Sequence, residues 1–272
     1  TYREFMQNLE ALKKQGMKKL ILDLRGNGGG VLDDAVEIAD EFLDGDKLIT
    51  YTIGQHYPRK EYRCRREGQF EKGALIILAD EGTASASEIL IGALQDWDRA
   101  TIVGRRTFGK GLVQDQFDLS DKSALRLTIA RYYTPIGRSI QRSYANGGKA
   151  YYEEINSRYT DGEIYSADSI KNDSSKMYRT AAGKKVFGGG GITPDYFVAA
   201  DTSKMSDVIT RVYSKSLVND FGYKYYMTNK SILQQYKSTA EFTRSFQTNA
   251  ESWSFFEKMA AADSIDLTTL NE

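Results

Sequence analysis

Cysteine and histidine are nearly missing from this chain, with one of each in 272 residues. The single Cys64 excludes an intrachain disulfide and any cysteine cluster for a metal. The lone His56 stands in "IGQHYPR" beside Pro58, with no acid at an evident motif spacing. It reads as an exposed loop or strand-end residue, so a Ser-His-Asp triad has little to be built on. Excess charge is lacking too. Lys plus Arg and Asp plus Glu number 37 each, which removes electrostatic capture of nucleic acid or acidic lipid as a leading function. The basic run "RKEYRCRRE", Arg59 to Glu67, includes acids and a tyrosine and reads as a solvated strand face. No apolar run approaches the ~18 residues of a membrane span. There is no initiator methionine and no signal peptide, and a helical stripe of Tyr2, Phe5, Met6, Leu9 and Leu12 starts almost at Thr1, as expected of a fragment cut upstream.

What is present suffices for a folded protein: 40% hydrophobic and 12% aromatic residues support one sizeable core, or a main domain with a smaller one attached. "KKLILDLR" (Lys18 to Arg25) suits a buried strand, "GNGGG" breaks it, and a helical pattern runs from Val31 to Leu43. The order recurs. "ALIILAD" (Ala74 to Asp80) is a second buried strand, "EGTAS" turns, and "SASEILIGALQDW" carries Ile89, Leu90, Ala93, Leu94 and Trp97 at helical spacing. Short strands "TIVG" and "ALRLTIARYYT" follow, and strands alternating with helices predict an α/β core. From Arg142 to Phe187 periodicity gives way to Asn, Gly, Ser, Lys and Tyr, the mark of an insertion or mobile excursion, before "GGGGITPDYFV" restores order. Beyond Thr202 glycine is nearly absent, and Met205, Val208, Ile209, Val212 and Tyr213 repeat helically, as do Ile232, Leu233 and Tyr236. The expected domains are an α/β core over 1–200, with a polar insertion at 142–187, and a helical C-terminal region over 201–272.

The stretch "VGRRTFGKG" places Gly104, Gly109 and Lys110 on the G-x-x-x-x-G-K frame of a phosphate-binding loop. Such a loop needs a hydroxyl after the lysine to hold Mg²⁺ and a helix opening there. Gly111 follows instead, and "LVQDQFDLS" alternates as a strand does. Lys110 therefore needs another partner. Serine and lysine can perform nucleophilic catalysis without histidine if the lysine is neutral enough to take the hydroxyl proton, a state that burial must impose at roughly 4 kcal/mol. Lys110 lies between Phe108 and the apolar Leu112 and Val113, on glycine hinges. Candidate nucleophiles cluster in "GTASASEI", where Ser85 and Glu88 form a capping box ahead of an apolar helix. A serine at a helix start also has free N–H groups beside it and a dipole that favours an oxyanion, so the cap and nucleophile readings are compatible.

"LILDLRGNGGG", "ADEGTASASEILIGALQDWDRATIVGRRTFGKGLVQ", "YYTPIGRSIQ" and "GITPD", in that order and spacing, resemble the core of the carboxyl-terminal processing peptidases from about Lys18 to Val198, apart from the insertion. The resemblance implies a crotonase-like α/β peptidase core with a helical C-terminal appendage. It makes Ser85 the nucleophile, with Thr83 replacing the first serine of the family block, and Lys110 the general base. Gln114 takes the place of the glutamine that orients the lysine, and its even spacing from Lys110 on a strand would put both on one face. The oxyanion donors would be the N–H of Ala86 and that of Gly29 or Gly30, left open because Gly28 replaces the family's usual proline. Asp96 matches an aspartate implicated in some members, and reads equally as an acid near a helix end bonded to backbone or to an arginine such as Arg99. Asn27 and Arg25 are expected to fix the turn.

The implied reaction is peptide hydrolysis near the C-termini of protein substrates through an acyl-enzyme, with no metal or cofactor. The peptide would lie extended against a strand. A PDZ domain, common before this core, would stand upstream of the present start. The family implies a bacterial periplasmic or cell-envelope location, and the apolar C-terminal helices are compatible with a homodimer. A different class stays open: a non-catalytic binding protein on the same scaffold, as in retinoid-binding relatives, which need no dyad.

Overall fold

The computed structural model describes residues 1–201 and 206–268. Helix α1 (Tyr2–Lys14) buries Leu9 and packs Tyr2, Phe5 and Met6 on the same core. Strand β1 (Lys19–Asp23) leads to the glycine turn and α2 (Leu32–Asp40), which is shorter at both ends than the periodicity predicts. There follow β2 (Leu48–Ile53), β3 (Lys60–Arg63), β4 (Ala74–Ala79), α3 (Ala86–Asp96), β5 (Thr101–Gly104), β6 (Leu112–Asp118) and β7 (Ala124–Tyr133). Helix α4 (Gly147–Thr160) and strands β8 (Met177–Arg179), β9 (Lys185–Phe187) and β10 (Tyr196–Phe197) complete a unit spanning Thr1–Ala200.

The unit has the mixed α/β character that the alternating pattern predicts. One sheet is parallel, in the order β1-β4-β5-β10, and a second is antiparallel, β3-β2-β7-β6. Strand β1 differs from the expected buried strand: Ile21 is 63% exposed while Leu20 and Leu22 join the core, because only one face of β1 is covered. The core gathers Phe42, Ile49, Ile77, Ile91, Leu94 and Ile102, all without exposed surface. Each such side chain contributes about 1.5–3 kcal/mol on burial. Helix α3 is buried along its whole length, as befits a helix apolar on nearly every side. The basic run lies on and around β3, where Arg59 and Arg63 both bond Glu61, in agreement with a solvated strand face.

The segment 142–187, read from sequence as an insertion or mobile excursion, carries α4, short 3₁₀ turns at Ala167–Ser169 and Ser174–Lys176, and the β8–β9 hairpin. Its buried side chains are a few scattered apolar ones, Tyr151, Ile164 and Val186, among polar anchors such as Arg142 and Arg158, which is why hydrophobic periodicity does not reveal it. Arg158 on α4, 2% exposed, donates to the carbonyls of Thr107 (2.8 Å) and Gly190 (3.2 Å) and to Glu154 (2.9 Å). The Arg142 guanidinium lies between the rings of Phe108 and Tyr151, 4.2 and 4.1 Å from their centroids. Helix α4 is thereby held against the loop that carries Lys110.

The second unit, Asp201–Glu272, contains α5 (Asp207–Ser214), α6 (Leu217–Thr228), α7 (Lys230–Leu233), α8 (Thr239–Ser245) and α9 (Ala250–Ala262). Its core is Val212, Leu217, Ala260, Ile265 and Leu267. Val208, Ile209, Val212 and Tyr213 fall on α5, whereas Met205 lies outside the described residues. No helix among the described residues is long and apolar enough to cross a membrane.

Arg158→Ala should unfold more readily than the parent by about 1–3 kcal/mol, because it strips the buried Thr107 carbonyl of its side-chain donor, while Glu154 and Glu163 keep Arg106 and Glu154 keeps Arg142. Urea titration measures the loss, and limited proteolysis should show new cleavage within α4.

Candidate active site

Ser85 is the N-cap of α3 and holds φ 58°, ψ −120°, a conformation that costs a non-glycine residue of order 1–3 kcal/mol and persists only where its surroundings enforce it. The enforcement is visible on both sides. Thr83, fully buried, donates its hydroxyl to the Leu24 carbonyl (2.7 Å), and the Ala84 N–H donates to the Asn27 carbonyl (3.0 Å). On the other side the Phe108 N–H donates to the Thr83 carbonyl at 2.9 Å. The serine turn is thus threaded between the "GNGGG" turn and the loop carrying Lys110.

Gly29, at φ +83°, touches the serine turn so closely that a Cβ there would stand 2.5 Å from the Ala84 carbonyl oxygen and 2.6 Å from the Ala86 nitrogen. Its own N–H donates to Asn27 Oδ1 (3.0 Å), which also accepts from the Ser87 hydroxyl (2.9 Å). Asn27 therefore fixes the turn. Arg25 bonds Asp23 instead, with Nη2 2.7 Å from the carboxylate.

Glu88 does far more than cap. Its Oε2 accepts from the N–H of Ser85 and from that of Lys110, each at 2.9 Å. Its Oε1 accepts from the Gly109 N–H (2.7 Å) and from the Thr107 hydroxyl. Thr107 Oγ1 already accepts from the Ile192 N–H at 2.8 Å, so its proton is free to point at Glu88. Burial pushes the Glu88 carboxyl up to about 7, while the four donors pull it down. The Ser85 side chain faces the Glu88 N–H, yet that N–H bonds the Ser85 carbonyl at 2.8 Å and the hydroxyl makes no capping bond.

Lys110 is half-buried on an extended loop that enters β6 rather than a helix. At Gly109, φ +88°, a Cβ would meet Arg142 Cγ at 2.6 Å and the Gly191 nitrogen at 2.9 Å, so only glycine lets the loop lie this close. Ser85, Ala86, Gly30, Lys110, Gln114 and Tyr132 all line one cavity of about 420 Å³. Gly29 lines a neighbouring, mainly apolar hollow of about 240 Å³ that shares Gly30 and Ala86. A register shift at Val113/Gln114 interrupts the strand between Lys110 and Gln114. Residue parity therefore does not carry from one to the other, although both reach the cavity.

Asp96 is not in that cavity. It sits fully buried at the far end of α3, roughly 16 Å from Ser85 along the helix, paired with Arg138 and accepting the Ile136 N–H at 3.2 Å. Arg99 donates instead to the carbonyls of Phe42 (2.9 Å) and Phe70 (2.7 Å). His56 is exposed on a bend. Among the described residues no group of His, Cys, Asp and Glu is placed to hold a metal ion. Sequence reasoning saw Glu88 only as a cap and passed over Tyr132; the first had a legible signal, the second none.

A sequence model described as "Peptidase family S41" matches residues 1–147. The chain is 43% identical over 141 residues to the carboxyl-terminal-processing protease of Synechocystis sp., covering 52% of this chain and 33% of that one. With the carboxy-terminal processing protease of Bacillus subtilis the identity is 34% over 142 residues, covering 52% and 30%. Among solved structures, the photosystem II D1 C-terminal processing protease superposes with a TM-score of 0.52 at 30% identity, over 74% of this chain and 40% of that one. The chain spans about a third of the length of the curated relatives it matches. With a match over more than half its residues that takes in the first three of the four blocks, the chain belongs to peptidase family S41, among the carboxyl-terminal processing serine proteases.

Proposed function

We propose that the Thr1–Ala200 unit is the catalytic core of a serine endopeptidase that cleaves proteins near their C-termini, with Ser85 as nucleophile and Lys110 as general base. The reading rests on one observation: both residues open into one cavity beside Gly30 and Ala86, while one Glu88 oxygen accepts from the N–H of each. Ser85 Oγ attacks the scissile carbonyl carbon as Lys110 Nζ takes its proton. The resulting oxyanion receives the N–H of Ala86, at the positive end of α3, and that of Gly30. Gly30 is favoured over Gly29 because the Gly29 N–H is committed to Asn27. Lys110 then returns the proton to the leaving amine, and water, activated by the same lysine, releases the acyl group. Gln114 borders the cavity where it can orient the lysine in the substrate complex. Asp96 is assigned to stabilising the fold through Arg138. The names of the relatives support carboxyl-terminal segments as substrates; a bacterial cell-envelope location is proposed from the family resemblance alone, one named relative being chloroplastic.

Ser85→Ala should abolish hydrolysis of an unstructured peptide with an apolar C-terminus while unfolding within about 1 kcal/mol of the parent. Parent-like turnover in the purified variant would sink the assignment. Lys110→Arg should be nearly inactive, since guanidinium stays protonated. Retained peptidase activity there, or a melting temperature of the parent that climbs with ATP or GTP concentration, favours a phosphate clamp instead.

For Glu88, the folded chain holds a proton between the ordinary value of 4.5 and about 7 that the unfolded chain has released. Its stabilising contribution is full below the lower value and lost as pH rises through the upper one. Glu88→Gln lacks this titration and sets an amide NH₂ against buried donors, at about 1–3 kcal/mol. The stability gap between parent and variant should therefore narrow from about pH 5 to about pH 8, read by urea unfolding.

A further inference from the structure

Glu88 joins Ser85 and Lys110 through their N–H groups; a second side chain joins them through their carbonyls. Tyr132, on β7, is 2% exposed, with its ring in the main core. Its one hydroxyl proton faces two carbonyls, that of Ser85 at 3.0 Å and that of Lys110, in a shared three-centre bond. Its own N–H donates to the Gly111 carbonyl at 3.0 Å, tying the same residue to the chain just past the lysine. Burial, with the Glu88 charge beside it, raises the Tyr132 hydroxyl well above its usual range, so it remains a donor at any working pH.

We propose that Tyr132 is a positioning residue for catalysis, the one proton of its hydroxyl shared between the Ser85 and Lys110 carbonyls and so setting the approach of nucleophile and base. The assignment rests on the Ser85/Lys110 reading above. The serine turn and the lysine loop lie on either side of α3 and β5. Each is gripped on its N–H side by one oxygen of Glu88 and on its carbonyl side by one oxygen of Tyr132. Two single-atom bridges on opposite sides of the same pair leave little freedom to slide or pivot. Without the tyrosine hydroxyl the Ser85 and Lys110 carbonyls lose their common donor, and although Glu88 and the Phe108–Thr83 bond still hold the two segments, the lysine can shift relative to the serine. A displacement of about 1 Å costs on the order of 10²-fold in rate.

Tyr132→Phe removes the bridge and keeps the ring. The matched control is Thr50→Val, which deletes another buried hydroxyl, bonded to the Tyr133 carbonyl at 2.8 Å on β2. Melting temperature, kcat and KM on the peptide, and the rate at which an organophosphonate labels Ser85, are measured for both, beside Ser85→Ala. Tyr132→Phe should lose about tenfold or more in kcat and in labelling rate with KM nearly unchanged. Thr50→Val should lose comparable melting temperature and keep the parent kcat. A folded Tyr132→Phe within about twofold of the parent kcat, or an equal kcat loss in Thr50→Val, overturns the proposal. If Tyr132→Phe does not fold, 4-aminophenylalanine at this position, which restores an N–H donor, should recover most of the turnover; a folded but inactive protein overturns the proposal equally. Parent-like activity in Ser85→Ala instead removes the underlying dyad reading, so the two failures are distinguishable.

Discussion

One carboxylate, fully removed from water and surrounded by four donors, holds the site of this protein together. Glu88 is anchored by α3, the most buried helix of the fold, and its two oxygens take up donors from the serine turn and from the 107–110 loop. An ionised carboxylate in such a place is unfavourable without those donors, and the donors are unsatisfied without it. Each side therefore requires the other. Helix packing, which fixes Glu88, is transmitted to a loop that has no regular structure of its own.

The loop is gripped from its other side by α4. Arg158 and Arg142 satisfy the carbonyls and cover the ring that the 105–110 segment presents, using charge and stacking where an apolar helix would use leucine. The arrangement suits a backbone that must stay extended and hydrogen-bonded while its lysine faces a cavity. The strained Ser85 backbone fits the same logic: a conformation unfavourable by itself is held because the Leu24, Asn27 and Phe108 backbones all bond the turn that leads to it.

Much of this was legible in the sequence. The strand-turn-helix repeats, the helix start at Ser85 and the glycine-flanked Lys110 entering a strand all follow from local periodicity and turn chemistry. Four ordered blocks named the family that the comparisons support. The mismatches share a cause. Strand β1 reads as buried because its residues are apolar, but a strand's coverage is set by what packs on each face of the sheet. Helix α4 is hidden because its buried anchors are one tyrosine and one arginine, Tyr151 and Arg158, which carry no apolar period. Parity fails to relate Gln114 to Lys110 because a register shift intervenes.

By itself the sequence determined which residues could do chemistry and on what kind of local structure each would stand, since capping, glycine turns and hydrophobic period act over a few residues. Only the tertiary structure decided which of them meet. It brought Ser85 and Lys110 into one cavity, committed the Gly29 N–H to Asn27 while leaving Gly30 facing the cavity, and sent Asp96 to Arg138 at the opposite end of α3. It also turned Glu88 from a cap into a bridge and brought Tyr132 to both backbones. These are contacts between segments far apart in the chain, set by how sheets and helices pack, and a buried polar network leaves no repeating trace in the order of residues.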